Sequence, residues 1–216
     1  DNLSFTIEAG KSLAIMGKTG SGKSTVALLL CRLIDHTEGE ILIDGKNLKD
    51  HNLENYRRHI GYIPQESFLF SDTIEHNIGL AIDNPTLKQV EEYAKKADVH
   101  KNIVEFKDQY KTMVGERGVM LSGGQKQRIC IARALIKEPK ILIFDDSLSA
   151  LDTETEETIL NNLLAYCKDK TTIIVSHRVS SAKNADWIII LDEGKIVEQG
   201  THNQLLEQNG YYKELY

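Results

Sequence analysis

Eight consecutive residues, Gly17-Lys18-Thr19-Gly20-Ser21-Gly22-Lys23-Ser24, carry the strongest chemical signal in the chain. They fit the spacing G-x-x-x-x-G-K-[ST] that cradles a phosphate chain. The glycines let the backbone turn until its N–H groups face phosphate oxygens. A helix opening near Lys23 adds the positive end of its dipole at the same point. In such a loop Lys23 reaches the β- and γ-phosphates, and the Ser24 hydroxyl takes a place on Mg²⁺. Thr25 is grouped with the same nucleotide-binding run. The expected ligand is a nucleoside triphosphate with Mg²⁺.

That chemistry needs an acidic residue at the end of a buried strand. Ile141-Leu142-Ile143-Phe144 runs into Asp145, which puts a carboxylate at the carboxyl edge of a sheet, where α/β folds hold ligands. Asp145 is the expected Mg²⁺ partner, directly or through water. A second anion signal is Leu121-Ser122-Gly123-Gly124-Gln125, just before a helical run from Lys126 to Ile136. Ser122 can cap that helix, and the two glycines leave amides open. Read alone, this stretch is equally an anion-binding helix terminus or an ordinary capped helix start.

The elements that must position these groups follow from pattern. Leu3-Ser4-Phe5-Thr6-Ile7 alternates and is expected to be a strand ending in the turn at Ala9-Gly10. Ser12 to Met16 is a short apolar strand, and Lys23 to Leu33 a helix, so strand, loop and helix come in the required order. Further strands are expected over Glu40 to Asp44, Ile60 to Ile63, Lys140 to Phe144, Thr171 to Ser176 and Trp187 to Leu191. The stretch from about Thr73 to Lys137 is mostly helical in pattern. Continuous apolar strands between helices predict a parallel sheet covered on both faces. Asp192-Glu193-Gly194-Lys195 predicts a hairpin turn.

With 216 residues, 41% of them hydrophobic, the chain can bury a core of its own. A net charge of −6 argues against non-specific nucleic-acid binding, and no nucleic-acid partner is expected. Cys31, Cys130 and Cys167 are too widely spaced for a zinc pair, and imply no disulfide framework. No apolar run in these 216 residues reaches membrane-span length, and none of them is expected to be a secretory signal. A start at Asp1-Asn2, already at the edge of a strand-like segment, is expected of part of a longer polypeptide.

In chain order, the loop at Gly17, Gln65 after a strand, Leu121 to Gln125, the strand ending at Asp145, Ser149-Ala150-Leu151-Asp152, and His177 after a further strand resemble the nucleotide-binding domain of ATP-binding cassette (ABC) transporters. The resemblance spans nearly the whole chain. It implies a P-loop NTPase (RecA-like) fold: an α/β parallel-sheet core with an antiparallel β portion and a helical signature-motif subdomain. It implies one domain over 1–216, with a core lobe at 1–71 and 138–216 and the helical subdomain at 72–137. It also implies ATP rather than GTP, Mg²⁺, and a second homologous domain facing this one head to tail. Each ATP would then lie between the phosphate loop of one domain and the signature helix of the other. By the same resemblance Lys23, Gln65, Asp146 and His177 are catalytic, and Ser24, Gln65 and Asp145 serve the metal. Ser122 and Gly124 hold the γ-phosphate of the partner's ATP, Asp152 bridges the two sites, His177 contacts the γ-phosphate, and Gln65 senses the transmembrane part.

Three stretches resemble the exporters of this family: Thr112-Met113-Val114-Gly115-Glu116-Arg117-Gly118, Leu69-Phe70-Ser71-Asp72-Thr73-Ile74, and Gly200-Thr201-His202-Asn203-Gln204-Leu205-Leu206. The first resembles the segment that exporters set against the coupling helices of the membrane domain, although Glu116 and Arg117 taken alone also read as a solvated charge pair. The implied setting is the cytoplasmic face of a membrane, with a transmembrane domain in the same polypeptide. Competing readings are a soluble ABC ATPase without a transport role, and a non-hydrolysing regulatory half.

One residue departs from the family pattern. The position after the strand-terminal aspartate is normally Glu, which positions and polarises the attacking water; here it is Asp146. Basicity differs little between the two side chains, but Asp is one methylene shorter, and a misplacement of about 1 Å can cost about 100-fold in rate. The expectation is a slow site of its own, an intact signature serving a partner, and hence a partner that is not identical. The adenine-stacking aromatic of the family is expected upstream of Leu3.

Overall fold

β1 (Ser12–Gly17) is apolar from Leu13 to Met16, and its side chains divide by parity. Leu13 and Ile15 enter one buried cluster, with Val26 and Ala27 of the following helix and with Ile143, Ile173 and Ile189. Ala14 and Met16 enter another, with Val179, Ala182, Ile188 and Tyr212. A strand apolar on both faces needs cover on both faces, which its neighbours supply here.

The computed structural model describes residues 3–115, 118–147, 159, 163 and 166–216. After β1 come α1 (Lys23–Leu30), a small hairpin of β2 (Leu42–Ile43) and β3 (Lys46–Asn47), α2 (Leu53–Arg58) and β4 (Ile60–Ile63). Four helices follow: α3 (Ile74–Gly79), α4 (Leu87–Lys96), α5 (His100–Val104) and α6 (Gly123–Leu135). The chain then returns through β5 (Ile141–Asp145), β6 (Thr171–Val175), α7 (Val179–Ala182), β7 (Trp187–Asp192) and β8 (Lys195–Gly200), and ends in α8 (His202–Glu207) and α9 (Tyr211–Leu215). The main sheet has the order β4-β5-β6-β1-β7-β8. β1 pairs in parallel with β6 and β7, and β5 with β6, while β8 returns antiparallel on β7. The expected α/β core with an antiparallel portion is present.

Two expectations change. Residues 3–8 form no strand. Leu3, Phe5 and Ile7 still alternate inward onto the β1 cluster, so the period-two burial is real, but it comes without ladder hydrogen bonds. The chain also divides into units at 1–62, 140–146 and 168–216 against 63–139 and 147–167, not at the expected 71/72 and 137/138. Local bonding explains the shift. The Phe68 carbonyl accepts from Arg133 and the Phe70 N–H donates to Asn77, which ties 68–70 to the helices. The Tyr166 hydroxyl donates to the Leu135 carbonyl, which ties that residue to α6.

Candidate functional site

The sheet delivers Gly17 to the start of the phosphate loop, and the backbone there admits little but glycine. Gly17 has φ +145°, and a Cβ built on it would lie 2.1 Å from the Leu191 carbonyl oxygen. Gly20 and Gly22 also have positive φ, and Gly22 caps α1 from the left-handed region. The turn is pinned internally: the Lys18 carbonyl accepts from Ser21 N–H at 3.2 Å, and the Ser21 carbonyl accepts from Gly194 N–H at 3.2 Å. Gly194 belongs to the β7–β8 hairpin, where Glu193 and Gly194 both adopt positive φ as a tight hairpin turn requires. The hairpin thus braces the loop.

Lys23 folds back into this cradle. Its ammonium donates to the carbonyls of Gly17 at 2.8 Å and Lys18 at 2.7 Å. Burial pushes its pKa below the ordinary lysine value, against the opposing pull of the Asp146 and Asp145 carboxylates. A cation already desolvated and held at the loop mouth is matched to an incoming polyanion.

At the next residue, Ser24 Oγ donates to Asp145 Oδ1 at 2.8 Å, and the Tyr62 hydroxyl donates to Asp145 Oδ2 at 3.0 Å. Asp145 is only 4% exposed. A serine hydroxyl beside a buried carboxylate is a hard-oxygen pair of the kind Mg²⁺ uses together with phosphate oxygens and water. Among the described residues no cluster of three or more His, Cys, Asp or Glu could hold a metal. The pair therefore fits Mg²⁺ held partly by nucleotide, and not an all-protein metal cage. Tyr62 was not singled out from sequence, because one polar tip in an apolar strand gives no spacing signal. Burial pushes its phenol far up, and the neighbouring Asp145 charge adds to this, so it stays a donor. Removing that donor by Tyr62→Phe is expected to lower ATP turnover about 5-fold, the equivalent of one hydrogen bond at about 1 kcal/mol, and to lower the melting temperature by about 2–4 °C. Steady-state ATPase assays and a melting curve check it.

Asp146 follows in the left-handed region, at φ +46°. Its N–H donates to the Val175 carbonyl at 2.8 Å. Its carboxylate oxygens lie 3.0 and 3.1 Å from Nδ1 of His177. The His177 side chain is 54% exposed and that of Asp146 18%. The segments just after β5 and β6 thus bring together two of the residues marked from sequence. With Nδ1 turned to Asp146, Nε2 is left as the nitrogen able to meet a ligand.

The other unit carries the signature. Ser122 caps α6 in a reciprocal box: its Oγ accepts from Gln125 N–H at 3.2 Å, and Gln125 Oε1 accepts from Ser122 N–H at 2.9 Å. An accepting hydroxyl keeps its own proton to donate, so the cap and anion readings of this stretch are compatible. A Cβ on Gly123 would meet nothing within 4 Å, which leaves the helix entrance open. Leu121 is buried beneath it. Gln65 lies just after β4, in this same unit. Ser149, Ala150, Leu151 and Asp152 lie outside the described residues, as do Glu116 and Arg117.

A mostly parallel sheet whose strand β1 opens into a glycine loop, with Lys23 in the loop and Ser24 on Asp145, defines a phosphate-loop nucleotide-binding domain. Residues 1–149 match the family described as ABC transporter, and the chain belongs to that family. It is 46% identical over 222 residues to the mitochondrial iron-sulfur clusters transporter atm1 of Neurospora crassa, with all of this chain and 31% of that protein covered. It is 49% identical over 215 residues to the ABC transporter ATP-binding protein YknU of Bacillus subtilis, with all of this chain and 37% of that protein covered. A solved bacterial Atm1-family ABC exporter with ATP bound superposes with a TM-score of 0.95 at 46% identity, covering 99% of this chain and 38% of that one. The chain spans about a third of the length of these curated relatives, 31% and 37%. Among the described residues no helix is long and apolar enough to cross a membrane.

Proposed function

We propose that this chain is the ATP-driven domain of a membrane exporter. In this reading it works at the cytoplasmic face, linked to a transmembrane domain in the same polypeptide, and closes head to tail on a second, homologous but non-identical domain. The observation that supports the reading is that one chain holds two separate parts with groups suited to a phosphate: the loop with Ser24 on Asp145, and α6 with a hydroxyl at its cap.

In that reading Gly17 to Thr25 hold the phosphates of this chain's own ATP, with Lys23 supplying the charge. Ser24, Gln65 and Asp145 hold Mg²⁺, which when bound neutralises charge building on the phosphate oxygens. His177 contacts the γ-phosphate, oriented by Asp146. Leu121, Ser122, Gly123, Gly124 and Gln125 face the partner's ATP, and Ser149, Ala150, Leu151 and Asp152 link the two sites. Because Asp146 stands where the family has Glu, hydrolysis at this chain's own loop is slow, and its ATP serves mainly to hold the two domains together.

Exposed apolar side chains support a membrane-domain partner. In the second unit Phe68 is 62% exposed, Phe70 49%, Met113 49% and Met120 93%, an unusual load for a surface that stays wet. Met113 and Phe70 lie in the two stretches of this unit that resemble exporters.

The test is to extract the full-length protein from membranes in detergent and identify the chains that accompany it with ATP and Mg²⁺ present. The expected result is a second, different chain of the same family at equal amount, with ATP persisting at this chain's loop after the partner's ATP is turned over. Recovery in the soluble fraction, or as a homodimer with two equally fast sites, overturns it.

A further inference from the structure

The far end of the chain reaches the phosphate loop. The Lys18 ammonium lies 5.5 Å from the centre of the Tyr211 ring, over its face. Lys18 is exposed and makes no ion pair among the described residues. Its own carbonyl is the group that accepts from the Lys23 ammonium at 2.7 Å and from Ser21 N–H at 3.2 Å. A contact at the end of the Lys18 side chain therefore restrains the same residue whose carbonyl holds Lys23.

Tyr211 is well placed to do so, because the helix that carries it is anchored on three sides. The Glu198 carboxylate accepts from the N–H groups of Tyr211 at 2.5 Å and Tyr212 at 3.2 Å. The Tyr212 ring is fully buried, and its hydroxyl pairs with His202 Nδ1 at 2.7 Å. The chain passes Glu198 so closely that a Cβ on Gly210 would lie 2.4 Å from a carboxylate oxygen. A short helix held this firmly presents the Tyr211 ring as a fixed face and not as a free surface side chain.

We propose that Tyr211 is a positioning residue for the phosphate loop. Its ring face holds the Lys18 cation, and through the Lys18 carbonyl it sets the resting place of Lys23, so that affinity for the triphosphate depends on the C-terminal helix α9. The inference rests on the loop being a nucleotide site. A wild-type protein that binds no ATP would sink that reading, whereas normal wild-type binding with no effect at Tyr211 would sink this one.

The test uses the full-length protein, with ATP affinity measured by displacement of a fluorescent ATP analogue and turnover by steady-state kinetics. Tyr211→Met keeps apolar bulk but removes the π face. It is expected to raise the Kd and KM for ATP about 2- to 5-fold with kcat unchanged, the range for a partly exposed cation on an aromatic face. Tyr211→Phe keeps the face and is expected to bind as wild type. In a Lys18→Met background, Tyr211→Met is expected to add no further loss. The same full loss in that background, or a loss in Tyr211→Phe equal to that in Tyr211→Met, overturns the proposal. Should Tyr211→Met fail to fold, Tyr211→Leu takes its place: it too keeps apolar bulk without a π face, and wild-type affinity for ATP in that variant overturns the proposal.

Discussion

Gly17→Ala is expected to weaken ATP binding about 100-fold or more while leaving the main sheet assembled. The added Cβ would lie 2.1 Å from the Leu191 carbonyl oxygen and 2.8 Å from Ser21 Oγ, on a backbone already at φ +145°. The first of these neighbours is main chain inside a parallel ladder, so it cannot swing aside. The end of β1 must move instead. Gly17 is the last residue of its pairing with β7, and Leu13 to Met16 keep their partners, so the damage stays at the strand tip. There the Gly17 carbonyl that holds Lys23 is displaced, and the first amides of the loop turn with it. Loss of two charge-assisted hydrogen bonds to phosphate, at about 1.5–3 kcal/mol each, corresponds to about 100-fold or more in Kd. Gly20→Ala is the contrast. Its added Cβ meets nothing within 4 Å, so it bears only the left-handed backbone at φ +84°, and a milder loss is expected. Equilibrium binding of ATP and a thermal melt separate the two effects. Wild-type affinity in Gly17→Ala would show that the loop does not cradle the phosphates as drawn.

Much of this site was readable from order alone, because each part is a local pattern. The glycine loop announces itself by spacing, and Asp145 by the four apolar residues before it. The hairpin at Asp192 to Lys195 shows in its turn residues, and Ser122 in its place as a cap just before a helical run. What escaped is what depends on register between distant segments. Tyr62 meets Asp145 only because β4 lies beside β5, and no spacing along the chain encodes that. Gly194 meets Ser21, and Tyr211 meets Lys18, for the same reason: the β7–β8 hairpin and α9 are brought to the loop by the sheet. Residues 3–8 show the converse. Their alternation matches that of a strand, and their apolar side chains are buried as a strand's would be, yet side-chain burial alone does not supply a pairing partner. The expected lobe boundary at 137/138 likewise takes no account of Tyr166, whose hydroxyl donates to the Leu135 carbonyl of α6 although it follows a core strand in sequence.

The conformation at Asp146 makes its replacement by Glu the most informative single change at the site. Asp146→Glu is expected to raise ATP turnover at this chain's own loop by up to about 100-fold, since a gap of about 1 Å to the attacking water costs about that much. The main chain cannot supply the missing reach. It is held in the left-handed region at φ +46°, with its N–H on the Val175 carbonyl. Only a longer side chain can carry the carboxylate outward. The same conformation adds a cost of opposite sign. Non-glycine residues in this region lose about 1–2 kcal/mol, and Asp recovers part of that through local bonding by its short polar side chain, which Glu does less well. The carboxylate must also be re-seated against His177, now about 3.0 Å from Asp146. Faster turnover should therefore arrive with a lower melting temperature, by about 2–4 °C for each kcal/mol lost in a domain of this size. That opposed pair is a signature that neither a general loosening nor a general tightening of the site produces. ATPase rates and melting curves of the full-length protein with its partner read both at once. If turnover stays at the wild-type rate while stability falls, Asp146 already places the water, and the limit on hydrolysis lies elsewhere.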